Sequence, residues 1–598
     1  MSSKELIKGS NITTDWLVKQ WSTDIGEYKK AHRRAKRLDA LDRGKLWEEL
    51  KAKFPSYQLL PQTNHINYIK NNIVASIYTV GKSAQLLCTN EEDKEVIENL
   101  NIALDHIWST RNVAYYELLA GERAALTNLG ITQVGWDNNI ISSNQESDNF
   151  EKGQVVLKNI DPLKYMRDPY AESLDTASHV VTWNDYHESV IAANPKYKEA
   201  FNKYKNSEDA ANNPTFATAE NVVNNTDRMG TACNRPGYYR VFVWYVRHDG
   251  KIAELHMLNN KVLLYKVDAI KPNMYPFAEL YCNIPTGDLI GVSECAKVMD
   301  NSIVYNLMSS IIATSEYKNQ RPPRFISRNS GINVNAFVKH GNEADKTFVV
   351  DGDASKAVHY HQYPQPTAAS LQTMQFLNQD MQFTSGIDGR YTGRDTGSVL
   401  TTGGINSMLD QVTMIDTTKI LLYEQYAKRL SKLIMYNYIN GSTIPRKYVI
   451  KDAKHANQYK TIEVPFNKLP ASIVFDYQLD ISSEMPKNKA RLAATADAMI
   501  EKQMQYQGAG VEVDLITPEE WLMMQDIPNK EYFQERMGIQ KTQNWQRIVA
   551  QAVTQYAGLV EQGLNPTDAI NATAQTLTQQ SSVGAPDMQN IAQNTQLF

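Results

Sequence analysis

The stretch GIDGRYTGRDTGSVLTTGG, residues 386–404, sets six glycines, two arginines (Arg390 and Arg394) and two aspartates (Asp388 and Asp395) into nineteen positions. That mixture fits a phosphate cradle, a flexible hinge, or a loop that touches a moving polyanion without gripping it. A Walker cradle needs G-x-x-x-x-G-K-[ST], since the lysine must reach phosphate and the hydroxyl must reach magnesium. No lysine follows a glycine at that spacing here or in TGDLIGVSE (286–294). Gly81-Lys82-Ser83 supplies lysine and hydroxyl, but Ser76 occupies the first glycine's position and the segment reads as helix. A dinucleotide loop joins a strand to a helix, whereas this one joins two helical patterns.

Other chemistry lacks its residues. There is no H-E-x-x-H motif and no G-x-S-x-G elbow. His359 and His361 alternate on a strand-like stretch and so share a face, but no third metal ligand stands at a recognisable spacing. The four cysteines form no C-x-x-C pair, which favours reduced thiols over a metal site or a disulfide scaffold. No catalytic, cofactor-binding or metal-binding residue is nominated, so the expectation is a protein that is not an enzyme and takes no cofactor.

Two other charge clusters stand out. Lys29 to Arg37 is a basic run on a helical pattern, either a phosphate contact or a solvated face. Residues 317–346 carry Lys318, Arg321, Arg324, Arg328, Lys339 and Lys346 against Glu343 and Asp345, a local +4 in a chain of net charge −4.

These groups must be positioned by a 598-residue chain with 42% hydrophobic and 21% charged residues, values ordinary for a globular protein. The slightly acidic balance argues against a dedicated nucleic-acid wrapper, and no apolar run is long enough for a membrane span. Helical periodicity marks the first fifty residues, then 64–87, then 93–130, with Gly130 as the closing glycine. From there the period changes to two: ITQVGWD, GQVVLKNI, SHVVTWNDY, YYRVFVWYVR and IAELHMLNNKVLLYKV read as strands. Met299, Ile303, Leu307 and Ile311 fall at four-residue steps on a helix that Ser293 caps and Pro322-Pro323 ends. A strand-like region (319–366), a second helix, the glycine-rich loop and a still longer helix follow. Short strands, a helical region from Pro486 to Met537, one more helix beyond Gln540 and a polar, glutamine-rich tail complete the chain. The fold class expected is α+β, mainly helical.

Two long helices around a small β-containing insertion, then a glycine-rich loop and a longer helix: this order resembles the portal proteins of tailed bacteriophages, those of short-tailed phages in particular. DRGKLWEE (42–49) is similar to their early glycine–tryptophan segment, and VLKNIDPLKYMRDPYAESLDTASHVV (156–181) to their strand–DP–strand segment. YPFAELY (275–281) and GDLIGVSECAKVMDNSIVYNLMSSII (287–312) resemble the approach to their first stem helix. SGIDGRYTGRDTGSVLTTGGINSMLDQ (385–411) resembles their tunnel loop and the helix after it.

The resemblance implies a wing (1–292 and 402–539), stem helices (293–318 and 367–387), a clip (319–366), a tunnel loop (388–401) and a helical crown with a disordered tail (540–598). It implies a homo-oligomeric ring, a dodecamer, at one capsid vertex of the virion, assembled in the host cytoplasm. Double-stranded DNA would cross the ring during packaging and ejection. The major capsid protein, the terminase motor and then head–tail adaptor proteins would be its partners, with no membrane involved. On this map Arg390, Tyr391, Arg394 and Asp395 line the DNA channel, and the six cations of 317–346 form the clip docking surface. The polar insertion at 206–234 and the glutamine-rich tail have no counterpart.

A channel also agrees with the charge. Each phosphate neutralised by a cation adds affinity through counterion release, so DNA that must slide cannot be held by many such contacts. Twelve chains of −4 carry about −48, a single-sign field that favours sliding. Another structural virion protein, such as a head–tail adaptor or internal scaffold, stays open on composition. A packaging ATPase or nuclease lacks the phosphate loop it would need.

Overall fold

The structure, a computed structural model, describes residues 12–48, 51–77, 85–87, 94–141, 152–205, 237–258, 261–266, 273–286, 289–341, 343, 347–361, 363–387, 402–442, 445–452, 455–464, 466, 476–478, 486–508, 515–524 and 554. Contacts divide the chain into two compact units, 1–448 with 463–485, and 449–462 with 486–598.

In the larger unit, helix α1 (Thr14–Asp42) starts where the Thr13 Oγ1 accepts the Trp16 N–H at 3.1 Å. Leu17, Tyr28, Ala31, Ala35 and Leu38 return every three or four residues and are buried. Helix α2 (His65–Ile77) buries Ile66, Ile69 and Ile73 in the same way. The helix expected across 64–87 ends at Ile77, and strand β1 (Gln85–Leu87) follows. Tyr78, Thr79, Val80 and Gly81 all rank low in helix propensity, which accounts for the shorter helix.

The helix expected across 93–130 is two, α3 (Lys94–Thr110) and α4 (Val113–Thr127), broken at Asn112 with φ 51°. Asn128, at φ 74°, takes the left-handed capping position, not Gly130. Gly130 instead lies in a strand so close to α4 that a Cβ would sit 2.0 Å from the Ala120 carbonyl oxygen. Helix C-termini accept Asn as well as Gly in that conformation.

Two antiparallel sheets form from the period-two segments, joined by two short strands at 165–167 and 277–281 that the pattern did not mark. One has the order β3 (Lys152–Ile160), β2 (Leu129–Ile141), β9 (Phe277–Tyr281). The other is a meander of β4 (Tyr165–Arg167), β5 (His179–His187), β6 (Tyr238–His248), β7 (Lys251–Leu258) and β8 (Lys261–Lys266). The main core lies between these strands and α1, with Leu17, Tyr28, Val180, Trp183, Phe242, Leu255 and Phe277 in one cluster. Trp21 meets Trp183 edge-on at 4.9 Å and Phe242 at 4.7 Å.

The long helix Thr402–Gly441 has 40 residues and spans about 60 Å. Tyr423, Tyr426, Leu430, Ile434 and Tyr438 bury its later turns, and Tyr426 shares a 2.8 Å hydrogen bond with Thr132. In the smaller unit, helices Pro486–Gly508 and Pro518–Met524 meet where Trp521 donates to Asp497 at 2.8 Å. A reciprocal box of Thr517 and Glu520 starts the second of them. The 206–234 insertion, the glutamine-rich tail and the segment 540–598 expected to form a crown (Thr554 aside) lie outside the described residues.

Candidate docking surface on a helix pair

Helix Met299–Gln320 follows a single turn, Glu294–Lys297, whose first free N–H groups are met by Ser293: its Oγ accepts the Ala296 N–H at 3.1 Å. The expected capping residue is therefore correct, but the helix it caps is interrupted at Val298. Helix Ala368–Ser385 packs against the first, and Asn301 donates to Asp380 across the pair at 2.5 Å.

The face of the first helix that is best buried is polar. Ser302, Asn306, Ser310 and Thr314 recur every four residues and are all buried. Asn306, Ser310 and Thr314 bond the backbone of the segment 58–63. Thr63 N–H donates to Asn306 Oδ1 at 2.7 Å, and Asn306 Nδ2 returns a bond to the Thr63 carbonyl at 3.1 Å. Ser310 donates to the Leu59 carbonyl at 2.6 Å, and the Leu59 N–H donates to Thr314 at 3.0 Å. A segment without secondary structure of its own thus has its peptide groups met by side chains, as buried peptide groups must be.

The apolar stripe behaves differently from the sequence expectation. Met299 and Ile303 are buried, but Ile311 is 57% exposed and Val304 43%. On the second helix Leu371, Phe376 and Phe383 are also exposed, Phe383 at 88%. Within the chain nothing among the described residues covers these side chains. Helix Ala368–Ser385 carries one charged side chain, Asp380, and no cation.

Between the two helices lies a small body with its own core of Ile332, Phe337 and Ala357, packed by Phe348 and Val350. It is less strand-like than expected: two short antiparallel strands, β10 (Arg324–Ile326) and β11 (Val358–Tyr360), accompany the helices Val334–His340 and Ala354–Ala357. His359 and His361 do share a face, and both rings lie against Phe325, at 6.5 and 6.2 Å.

The six cations nominated here separate into two groups. Lys318 sits 4.0 Å above the Tyr57 ring and 5.4 Å from Tyr363. Arg321 stacks on Tyr317 at 5.3 Å and Arg324 on Phe337 at 5.4 Å. These three fix the chain where it leaves the first helix, by attraction of a cation to an aromatic face. Arg328 and Lys339 are exposed, and Lys346 lies outside the described residues.

Arg390, Tyr391, Arg394 and Asp395 also lie outside the described residues, as does the whole of 388–401. The anchors before them are defined. Gly386 ends the second helix at φ 68°, and Ile387 is buried.

Residues 143–417 match the family model of the phage SU10 portal protein. This stretch is similar to a phage portal protein. The match runs from β3 through both helices, the body between them and residues 388–401, and ends within the long helix. It supports the family recognised from the sequence and covers a little under half of the chain. No curated protein matches the chain.

The basic run on α1 also finds a place, beside the approach to the first helix of the pair. His32 is buried, Arg34 donates to the Gly291 carbonyl at 2.5 Å, and Arg37 reaches Asp300 at 3.7 Å, so part of the run secures the approach to the first helix. Nearby, buried Glu294 binds Lys419 of the long helix at 3.5 Å and accepts from Asn283 at 2.9 Å. Sequence spacing carried no signal for the Arg34, Arg37 and Lys419 contacts, because their partners are more than a hundred residues apart.

Proposed function

We propose that the chain is the subunit of a portal ring at one capsid vertex, non-enzymatic, through which double-stranded DNA is packaged and ejected. The helix pair is its stem, the body at 319–366 its clip, 388–401 its tunnel loop, and the remainder of the larger unit its wing. The clip receives the terminase motor and later the head–tail adaptors. The ring reading is carried by exposed apolar side chains on both helices, Val304 and Ile311 on one face of the first and Phe376 and Phe383 on one face of the second. Exposed apolar patches on that scale mark interaction sites, and a ring gives each copy the same neighbour. The cation-free second helix suits a channel, because it offers passing phosphates no cation to hold them.

Negative-stain imaging tests this. Wild-type protein forms rings with a central hole, and F376E/F383E yields monomers with an unchanged melting curve. Irregular aggregates from wild-type protein, or rings from the variant, overturn the assignment of that face.

A further inference from the structure

Residues 28–37 of α1 hold six cations and no carboxylate. Arg34 turns inward, but Lys29, Lys30, Arg33, Lys36 and Arg37 are all exposed. At 100° per residue they fall within an arc of about 120°, giving a ridge roughly 12 Å long. Lys29, Lys30 and Lys36 have no ion pair among the described residues. Like charges four apart, Lys29 with Arg33 and Arg33 with Arg37, oppose the helix. We propose that this ridge binds the phosphate backbone of duplex DNA, outside the channel and without base recognition.

Two observations favour DNA over an acidic protein segment. Protein partners are held by apolar anchors at the centre of the contact, and no large hydrophobic side chain from 19 to 37 is exposed. Its neighbours on the same arc, Ser22 and Gly26, are small, and a side chain at Gly26 would meet open space, so a broad, stiff duplex can lie along the helix. The choice of duplex DNA as occupant rests on the portal reading.

The test uses relaxed, covalently closed circular duplex, which cannot thread a closed ring and so reports external binding only. Purified full-length protein and a K29Q/K30Q/K36Q variant are compared by electrophoretic mobility shift across 50–200 mM salt, with imaging of each sample. Wild-type protein binds the circle, and the variant, with the same melting curve, lowers the slope of log affinity against log salt by about 2.7 per ridge engaged. At 200 mM the difference between them closes by about 40-fold relative to 50 mM. Equal binding and slope for the two proteins overturn the proposal. So does competition by polyglutamate with no binding of the circle, which would make the occupant an acidic protein. Absence of rings in the images counts against the portal reading alone, because binding of the circle does not require a ring.

Discussion

Glu117 shows what a single buried group can do to this fold. It lies on α4 with no exposed surface, and neither carboxyl oxygen has a hydrogen bond of good geometry. Burial pushes its pKa well above the usual carboxylate range, and the neighbouring Tyr423 and Trp108 only partly counter this. An acid whose folded pKa is raised stabilises fully below its unfolded value near 4.5 and loses that contribution as pH rises toward the folded value. Wild-type stability therefore falls by up to about 1.4 kcal/mol per pH unit above that point, and Glu117→Gln abolishes the slope. Melting temperatures from pH 4.5 to 8.5 check this; parallel curves for the two proteins count against it. His32 acts from the other side. Burial lowers its pKa to about 4, so its contribution is present above about 6.5 and is lost as pH falls toward 4. His32→Phe makes the protein less sensitive to acid over that window, as melting curves at pH 4 and pH 7 would show. No spacing in the sequence marks either residue, because burial of a single polar group depends on contacts distant in the chain.

At the scale of elements, the clamp between segment 58–63 and the first helix makes Asn306 the most connected polar side chain of the pair. Asn306→Ala leaves the Thr63 peptide unpaired, at about 1–3 kcal/mol for each buried group abandoned. Hydrogen exchange at 58–63 should quicken while exchange in the strands does not change. Elements were the most legible level in the sequence. The period-two strands and the helices at 299–320, 368–385 and 402–441 all stand where their patterns put them. The break at Asn112 and the strand role of Gly130 were not legible, since one depends on a left-handed backbone and the other on approach to Ala120. The stripe Ser302–Asn306–Ser310–Thr314 was visible as a spacing, yet the parallel apolar stripe drew the reading because core faces are normally apolar. Here the apolar side is the uncovered one.

For the whole molecule, the portal reading assigns docking and translocation to different residues. Arg324 supports the body at 319–366 through Phe337, so its charge reversal disturbs local packing. Arg328 and Lys339 are exposed, and R328E/K339E is expected to weaken pull-down of the terminase motor and of the adaptors by tenfold or so (about 1.4 kcal/mol) with rings intact. Unchanged capture of both would remove docking from these cations. R390A/R394A is expected to leave ring formation unchanged, since loop residues away from caps and cores alter stability by about 0.5 kcal/mol or less. Its effect appears in DNA retention by assembled particles, and loss of rings in this variant would make the loop structural. The candidate site was thus half legible: six cations were named, three prove to support the aromatic cluster around the helix end, and only folding could distinguish them.

The clamp also constrains how the chain is made. Thr63 and Leu59 bond to residues 243 and 255 positions later. At about 5–20 residues per second, roughly 12–50 s separate the emergence of the two halves from the ribosome. Through that interval the segment's peptide groups have only water or a foreign strand to bond. The first helix likewise cannot bury its polar stripe until a segment already outside the tunnel returns to it. Vectorial synthesis therefore delays completion of the helix pair until its N-terminal half docks, and a nascent chain released before residue 314 would carry an unoccupied backbone for chaperones to capture.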